Sequence, residues 1–464
     1  MKEIMASKIA IHLDADVYGQ DISVERNWLC DSRDVLPGDA FVAIKGSKVD
    51  GHAFIEQVID KGASLIVINK DEVDKLGLAK NTYSNITFIA VSDTVKVLSD
   101  MARFVLKEIA PTVVGITGSV GKTTTRELVG SILRSYKKVH SAIRSFNTVI
   151  GCSLTILSMP YDTDILLLEF GTNHHGEIRE MVGLFPPEIV IITEVVSAHL
   201  EGLGSLEGVL KAKIEICESV ALKTIIYNSD NEILDSAIKK FADIGVRVLP
   251  VGYKSDIFKI LKSDLYLSNS IPALRTKYLY CDSCFETNIP FFGNQHSYNL
   301  AYAILLAFEL KISKNDIINA LKNVKPVSGR GVCKELVNSS VVIDESYNAN
   351  PASMLAAIEN LRSIKEINKV DIYAVLGGMR ELGEKSLGLH EQLVPKLADF
   401  TKVFLLGNEW NLLTLKDNMQ RYASIDEIEK EVKSLVKQSN LVLLVKGSNS
   451  YGLNRVVKCL VEDN

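Results

Sequence analysis

Gly115-Ile116-Thr117-Gly118-Ser119-Val120-Gly121-Lys122-Thr123-Thr124 decides how this chain is read. The β-branched run Thr112-Val113-Val114 before it reads as a strand. After it, Leu128 with Ile132, and Val129 with Leu133, share one face at helical spacing. Strand, glycine-rich turn and helix make a phosphate cradle, because N–H groups of the turn and helix N-terminus point at an anion. Gly118, Ser119, Gly121 and Thr124 belong to the cradle. Lys122 reaches the outer phosphates, and Thr123 offers its hydroxyl to Mg²⁺. The spacing departs from the usual one, since Gly115 is one position early, but Gly118 to Thr123 is intact. A glycine turn with a surface lysine would share these letters; the flanking strand and helix favour the cradle.

At 464 residues the chain is too long for one ordinary core and suggests two to four domains. A net charge of −5 gives no electrostatic case for nucleic acid or an anionic membrane. The segment Met1 to Gly19 carries Glu3, Asp14 and Asp16, lacks a signal-peptide core, and no run approaches a membrane span. A cytoplasmic protein is expected, and its seven scattered cysteines suit a reducing compartment. Cys281-x-x-Cys284 is the one suggestive pair, yet a zinc site wants two more ligands at similar spacing and none is evident.

Three blocks separate along the chain. Residues 1–107 are rich in turns and show no long regular element before about Ile55. Residues 108–329 alternate apolar strands (Ile165–Glu169, Ile189–Thr193, Thr224–Asn228, Val248–Gly252) with helices, the signature of a parallel sheet covered on both faces. From Tyr253 to Phe292 short strands suggest an antiparallel flap, and a helix follows at Tyr298–Leu310. Residues 330–464 repeat the alternation, with strands Val341–Asp344, Ile372–Leu376, Val403–Leu406 and Leu441–Val445, as in a smaller doubly wound sheet.

Ligands gather at the carboxyl ends of such strands. Glu169 ends one of them and can hold Mg²⁺ beside phosphates, although an acid there can also merely cap a strand. His199 follows another within Ser197-Ala198-His199-Leu200-Glu201-Gly202, where a catalytic or metal role competes with a structural one. Lys213, in Lys211-Ala212-Lys213-Ile214-Glu215, reads on sequence alone as surface helix charge.

Taken together, these motifs resemble the Mur ligase family over nearly the whole chain. The first block carries Asp31-Ser32-Arg33, Pro37-Gly38-Asp39 and Asp50-Gly51-His52. The second adds Glu169-Phe170-Gly171-Thr172-Asn173 and Ala198-His199-Leu200-Glu201. The third has Gly329-Arg330, Asp344-Glu345-Ser346-Tyr347-Asn348-Ala349-Asn350-Pro351, Leu376-Gly377-Gly378-Met379-Arg380-Glu381-Leu382-Gly383 and Lys446-Gly447-Ser448. The resemblance implies an α/β protein of three domains: a small α/β UDP-substrate-binding domain (1–107), a central P-loop parallel-sheet ATP-binding domain (108–329) and a C-terminal Rossmann-like acceptor-binding domain (330–464). It implies a monomeric ATP- and Mg²⁺-dependent amide ligase of peptidoglycan precursor synthesis, joining D-alanyl-D-alanine to a UDP-linked muramoyl tripeptide through an acyl phosphate. By the same resemblance Lys122 binds ATP, Thr123 and Glu169 hold one Mg²⁺, and His199 and a carbamylated Lys213 hold a second. Asn299 meets adenine, Arg330 a phosphate and Asp344 the ribose. Asp31, Ser32, Arg33, Asp50, Gly51, His52, Asn147 and Thr148 meet the UDP-linked donor. Tyr347, Asn348, Asn350 and Lys446 belong to the acceptor side.

Some positions depart from the family pattern. Ser145-Phe146-Asn147-Thr148 stands where paired asparagines are usual, and Gln295-His296 where Gly-x-His-Asn is usual. Glu345 replaces an Asp, His175 a Pro, and Gly378 the Asp of Gly-Asp-Met. A relative acting on another UDP-linked donor or amine, in pseudomurein or peptide natural-product synthesis, is the nearest alternative. A plain P-loop ATPase would not need the first block, and a silent scaffold would be free to lose Lys122, Thr123, Glu169, His199 and Lys213.

Overall fold

The computed structural model describes residues 4–462, apart from 25–26, 47–48, 79–82, 84–85, 270, 369 and 439. Among these residues three main sheets form, one in each block. The first is ordered Asp16–Tyr18, Thr87–Val91, Leu65–Asn69, Ala40–Val42, Trp28–Leu29. Only its first pair is antiparallel. An eight-residue helix at Ala6–Leu13 precedes it, so the expectation of no long regular element before Ile55 is corrected. Ala6, Ile9 and Ala10 are its buried stripe, a pattern too short to stand out from the turn-rich surroundings.

The helix Thr94–Ile109 links the first block to the second. Asp93 caps it, accepting from the N–H groups of Val95 and Lys96, and Ala110 ends it in a left-handed conformation just before Pro111. Its buried face, from Val97 to Val105, packs on the helix Val149–Leu157, so one apolar core runs from the first sheet into the second.

The central sheet places Thr112–Thr117 between Ile165–Glu169 and Ile189–Ile192, all parallel. Register sets Glu169 beside Ile116 and Ile192 beside Thr117, so both neighbours end level with the phosphate loop. These strands read as unbroken apolar runs because helices cover both faces. On one face Lys122–Leu133 packs against His296–Glu309, whose residues 299–307 are all buried and which is therefore apolar nearly all round.

Residues 253–292 differ from a flap of short strands. Phe258–Ser268, Ile271–Tyr280 and Ser283–Ile289 are eleven, ten and seven residues long, and Phe258 pairs with Val251, so they extend the central sheet itself. Alternation of outward charges with buried residues such as Tyr278 and Phe285 hid their length. Cys281 and Asp282, both with positive φ, form the tight hairpin turn between the last two strands. Cys281 and Cys284 are exposed, and among the described residues no cluster of three metal-ligating side chains of the His, Cys, Asp and Glu type occurs.

The third sheet runs Val332–Glu335, Val341–Glu345, Leu441–Lys446, Asp371–Gly377, Lys402–Leu406, Met419–Tyr422, antiparallel only at its first pair. Its two edge strands were not anticipated. No described helix is long and apolar enough to cross a membrane.

Candidate active site

A cavity of about 450 Å³ opens where the carboxyl ends of the central strands face the third block. Ser119 to Thr124 form its floor. Gly118 has φ +146°, and a Cβ there would lie 2.0 Å from Thr193 Oγ1. Gly121 has φ +84°, and its Cβ would lie 2.7 Å from Asn299 Oδ1. Only glycine lets the backbone run this close to its neighbours. The segment after the adjacent strand braces the loop from behind: Ser119 donates its N–H to Glu194 O and its hydroxyl to Val196 O, and Thr193 donates to Val120 O.

Lys122 starts the helix and donates to Gly118 O at 2.7 Å. Burial pushes its ammonium down to about 8, with Glu169 opposing the shift and Arg330 adding to it. Thr123 Oγ1 donates to Glu169 Oε2 at 3.0 Å. Glu169 is buried, and its Oε1 lies 3.0 Å from Arg126 Nη1 without accepting a well-directed hydrogen bond. Arg126, itself buried, also pairs with Glu127 and donates to Arg144 O. Sequence reading missed Arg126; the available signal was a charge one helical turn after Lys122 on a face that is otherwise buried.

Lys213 is wholly buried, and its Nζ has no hydrogen-bond partner. Burial drives its amine far below the ordinary lysine range, Lys122 adds to this, and Glu177 and Glu215 oppose it. The surface-charge reading is therefore corrected: the helix Leu206–Ile214 turns Lys213 inward while Lys211 stays exposed. A neutral amine can add CO₂, and the product offers carboxylate-like oxygens to a hard cation. Glu169 beside Thr123, and the unpartnered Lys213 Nζ, are groups of the kind that can hold a divalent cation. His199 sits in a left-handed conformation, φ 52°, with Nδ1 2.6 Å from Glu381 Oε2 of the third block.

Arg330 reaches the cavity from the joint between blocks, stacked 4.2 Å over the Tyr347 ring and flanked by Gly329 (φ +76°) and Gly331 (φ +83°). Lys446 lines the same wall, buried and paired with Glu345 Oε2 at 2.8 Å while donating to Asn348 O. Asn350 lines it too and caps the helix Pro351–Asn368 through Ser353 N–H. His296 is buried with Nε2 unpartnered, and burial pushes its imidazole down to about 4.

Other expected contacts are not brought together here. Asp344 does not line the cavity; its carboxylate accepts from Gly329 N–H and from Ser346, fastening the joint. Asn299 lines it but faces the loop, accepting from Thr125. Asn147 lines it, whereas Thr148 accepts from Gly151 N–H as a helix cap. None of Asp31, Ser32, Arg33, Asp50, Gly51 and His52 lines it. Asp31 and Arg33 form an exposed pair in which Arg33 holds the Asp31 carboxyl down to about 2. Ser32 is buried and its carbonyl accepts from Lys61. Asp50 accepts from both N–H and Nδ1 of His52, whose Nε2 accepts from Asn69 N–H, a clasp between this turn and the end of the strand Leu65–Asn69. Gly51 lies within 2.6 Å, measured from a built Cβ, of Ile44 N.

Residues 27–105 match the Mur ligase family catalytic domain, 116–307 the Mur ligase middle domain, and 329–449 the Mur ligase glutamate ligase domain. The chain belongs to the Mur ligase family. The UDP-N-acetylmuramoyl-tripeptide–D-alanyl-D-alanine ligase of Rickettsia prowazekii (strain Madrid E) is 31% identical over 446 residues, covering 92% of this chain and 93% of that protein. Among solved structures, MurF ligase from Thermotoga maritima in complex with ADP is 26% identical with a TM-score of 0.80, covering 95% of this chain and 98% of that one. MurF from Acinetobacter baumannii superposes with a TM-score of 0.86 at 24% identity, covering 100% and 99%, and so shares the fold.

Proposed function

We propose that this protein is an ATP-dependent amide ligase that joins D-alanyl-D-alanine to UDP-N-acetylmuramoyl tripeptide in peptidoglycan precursor synthesis. The observation that carries the reading is convergence: Lys122, the Thr123–Glu169 pair and Arg330, drawn from two blocks, face one cleft. This occurs in a chain that aligns over 92% of its length with a ligase of that name.

A carboxylate resists attack by an amine until one of its oxygens can leave. In this reaction the donor's terminal carboxylate oxygen attacks the γ-phosphorus of ATP, the bond to the β–γ bridging oxygen breaks, and ADP departs. The acceptor's neutral amine then attacks the acyl carbon, phosphate leaves, and the amine gives up its proton. The Lys122 ammonium and Arg330 guanidinium offset negative charge gathering on the transferred group. Thr123 with Glu169, and His199 with carbamylated Lys213, would hold two Mg²⁺ ions, which supply further charge neutralisation when bound.

Residues 108–329 would bind ATP and residues 330–464 the acceptor. In residues 1–107 the exposed Asp31–Arg33 pair would be available to the UDP moiety, and the Asp50–His52 clasp shapes its own loop. Asn147, at the cavity wall, would meet the donor. The protein would act as a monomer in the cytoplasm, where nucleotide-linked precursors are its substrates. The test mixes ATP, donor and D-alanyl-D-alanine, then omits each, with product mass and phosphate measured. Product from another amine but not from this dipeptide would refute the acceptor; no stimulation of phosphate release by any amine would refute the ligase.

A further inference from the structure

A second cavity, about 390 Å³, adjoins the first and shares His199, Asn348 and Asn350 with it. Arg380, which the first cavity lacks, also lines it. Its guanidinium is about half exposed (55%) and lines the cavity, while Nη1 binds Glu409 Oε1 at 2.9 Å and the group lies 4.8 Å over the Tyr451 ring. The Tyr451 hydroxyl donates to the other oxygen of Glu409, and Arg380 N–H donates to Ser448 Oγ at 3.1 Å.

Two glycines make room for this assembly. They sit just beyond the ends of neighbouring parallel strands, where ligands collect in such sheets. A Cβ on Gly378 would lie 2.4 Å from Glu409 Oε2, and one on Gly407 2.6 Å from the Tyr451 hydroxyl. The space beside residue 378 is thus filled by a carboxylate from the next strand's end. That carboxylate takes one edge of the guanidinium and leaves the rest turned to the cavity.

We propose that Arg380 binds the carboxylate of the acceptor dipeptide and that Glu409, braced by Tyr451, is the positioning residue that aims it. The proposal rests on the ligase reading above. The acceptor is a zwitterion whose amine must reach the activated acyl group in the first cavity. Its amine therefore lies by the wall shared through His199, and its carboxylate extends into the second cavity, which Arg380 lines and the first does not share.

The experiment compares D-alanyl-D-alanine with its C-terminal amide as acceptor. The native protein should prefer the acid by on the order of tenfold or more in kcat/KM, the effect of losing one charge-assisted hydrogen-bond pair. Arg380→Met should bring the ratio close to one. Glu409→Gln, of the same shape, should shrink the ratio and raise the acceptor KM while the ATP KM stays put. Gly378→Asp should lose acceptor binding and Gly378→Asp/Glu409→Ala should regain part of it, with thermal melting confirming that each variant folds. An Arg380→Met protein with an unchanged ratio overturns the carboxylate assignment. An unchanged ratio in Glu409→Gln, with Arg380→Met behaving as expected, overturns the positioning role. Equal use of acid and amide by the native protein defeats this proposal alone, whereas use of neither defeats the ligase reading as well.

Discussion

Lys213→Met removes the one amine whose state the structure makes most unusual. The side chain keeps its shape but loses an Nζ that is buried without a partner. Leaving such a neutral donor unsatisfied costs about 1–3 kcal/mol. In metal-free, CO₂-free buffer the variant should therefore be as stable as the native protein or more so. The pH dependence is the sharper test. The folded-state pKa lies well below the ordinary 10.5, so between the two values the unfolded chain holds a proton that the folded chain lacks. Native stability relative to the variant should rise with pH through that window, by about 1.4 kcal/mol per unit, and level off above 10.5. Urea unfolding of both proteins across mildly alkaline pH should show the native protein gaining on the variant as pH rises. Ligase activity of Lys213→Met should fall by several orders of magnitude, and Lys213→Ala should recover partly with a small added carboxylate. A native-to-variant difference that is flat with pH would refute the buried neutral amine. Full activity of the variant would refute the metal-ligand role.

Lys122→Ala should abolish turnover with the melting temperature essentially unchanged; in the native protein, ADP affinity should weaken as pH rises through about 8, where the ammonium is lost, and Lys122→Arg should flatten that profile. X-ray scattering should report a more compact particle with an ATP analogue plus donor, and Gly329→Ala, whose Cβ would lie 2.8 Å from Tyr347 Cβ at φ +76°, should blunt the change. The ligation rate should climb from mildly acid pH until the acceptor amine, of free pKa about 8, is deprotonated; a profile flat from pH 6 to 9 would exclude a neutral-amine step.

The central strands were legible because burial on both faces leaves an unbroken apolar run, as in Ile165–Glu169. Edge strands such as Met419–Tyr422, with Gln420 and Arg421 exposed, carry no such mark. The phosphate loop could be read from its letters because its chemistry is local: glycines, a lysine and a threonine at fixed offsets. Lys213 could not, since what makes it unusual is the tertiary packing that encloses it. Arg126 escaped for the same reason, its partner Glu169 lying on a strand far along the chain. Asp344 was located correctly at a strand end, but its direction was not legible. Gly329 and Ser346 take the oxygens that strand position alone would offer to a ligand. The Glu409 carboxylate at Gly378 depends on two strand ends meeting, which no linear motif records.

The bracing of the phosphate loop by Thr193, Glu194 and Val196 has a consequence for how affinity is lost. An arriving nucleotide meets a mould already set, because the ordering of that loop is settled when the sheet folds and need not be drawn from the binding event. Thr193 donates to the loop and its side chain abuts Gly118. Loosening it would let the loop sample many shapes, and each binding event would then have to select one. Resistance to a nucleotide-site inhibitor can accordingly arise one layer behind the residues the inhibitor touches. A screen for escape variants should include the segment after the neighbouring strand as well as the loop itself.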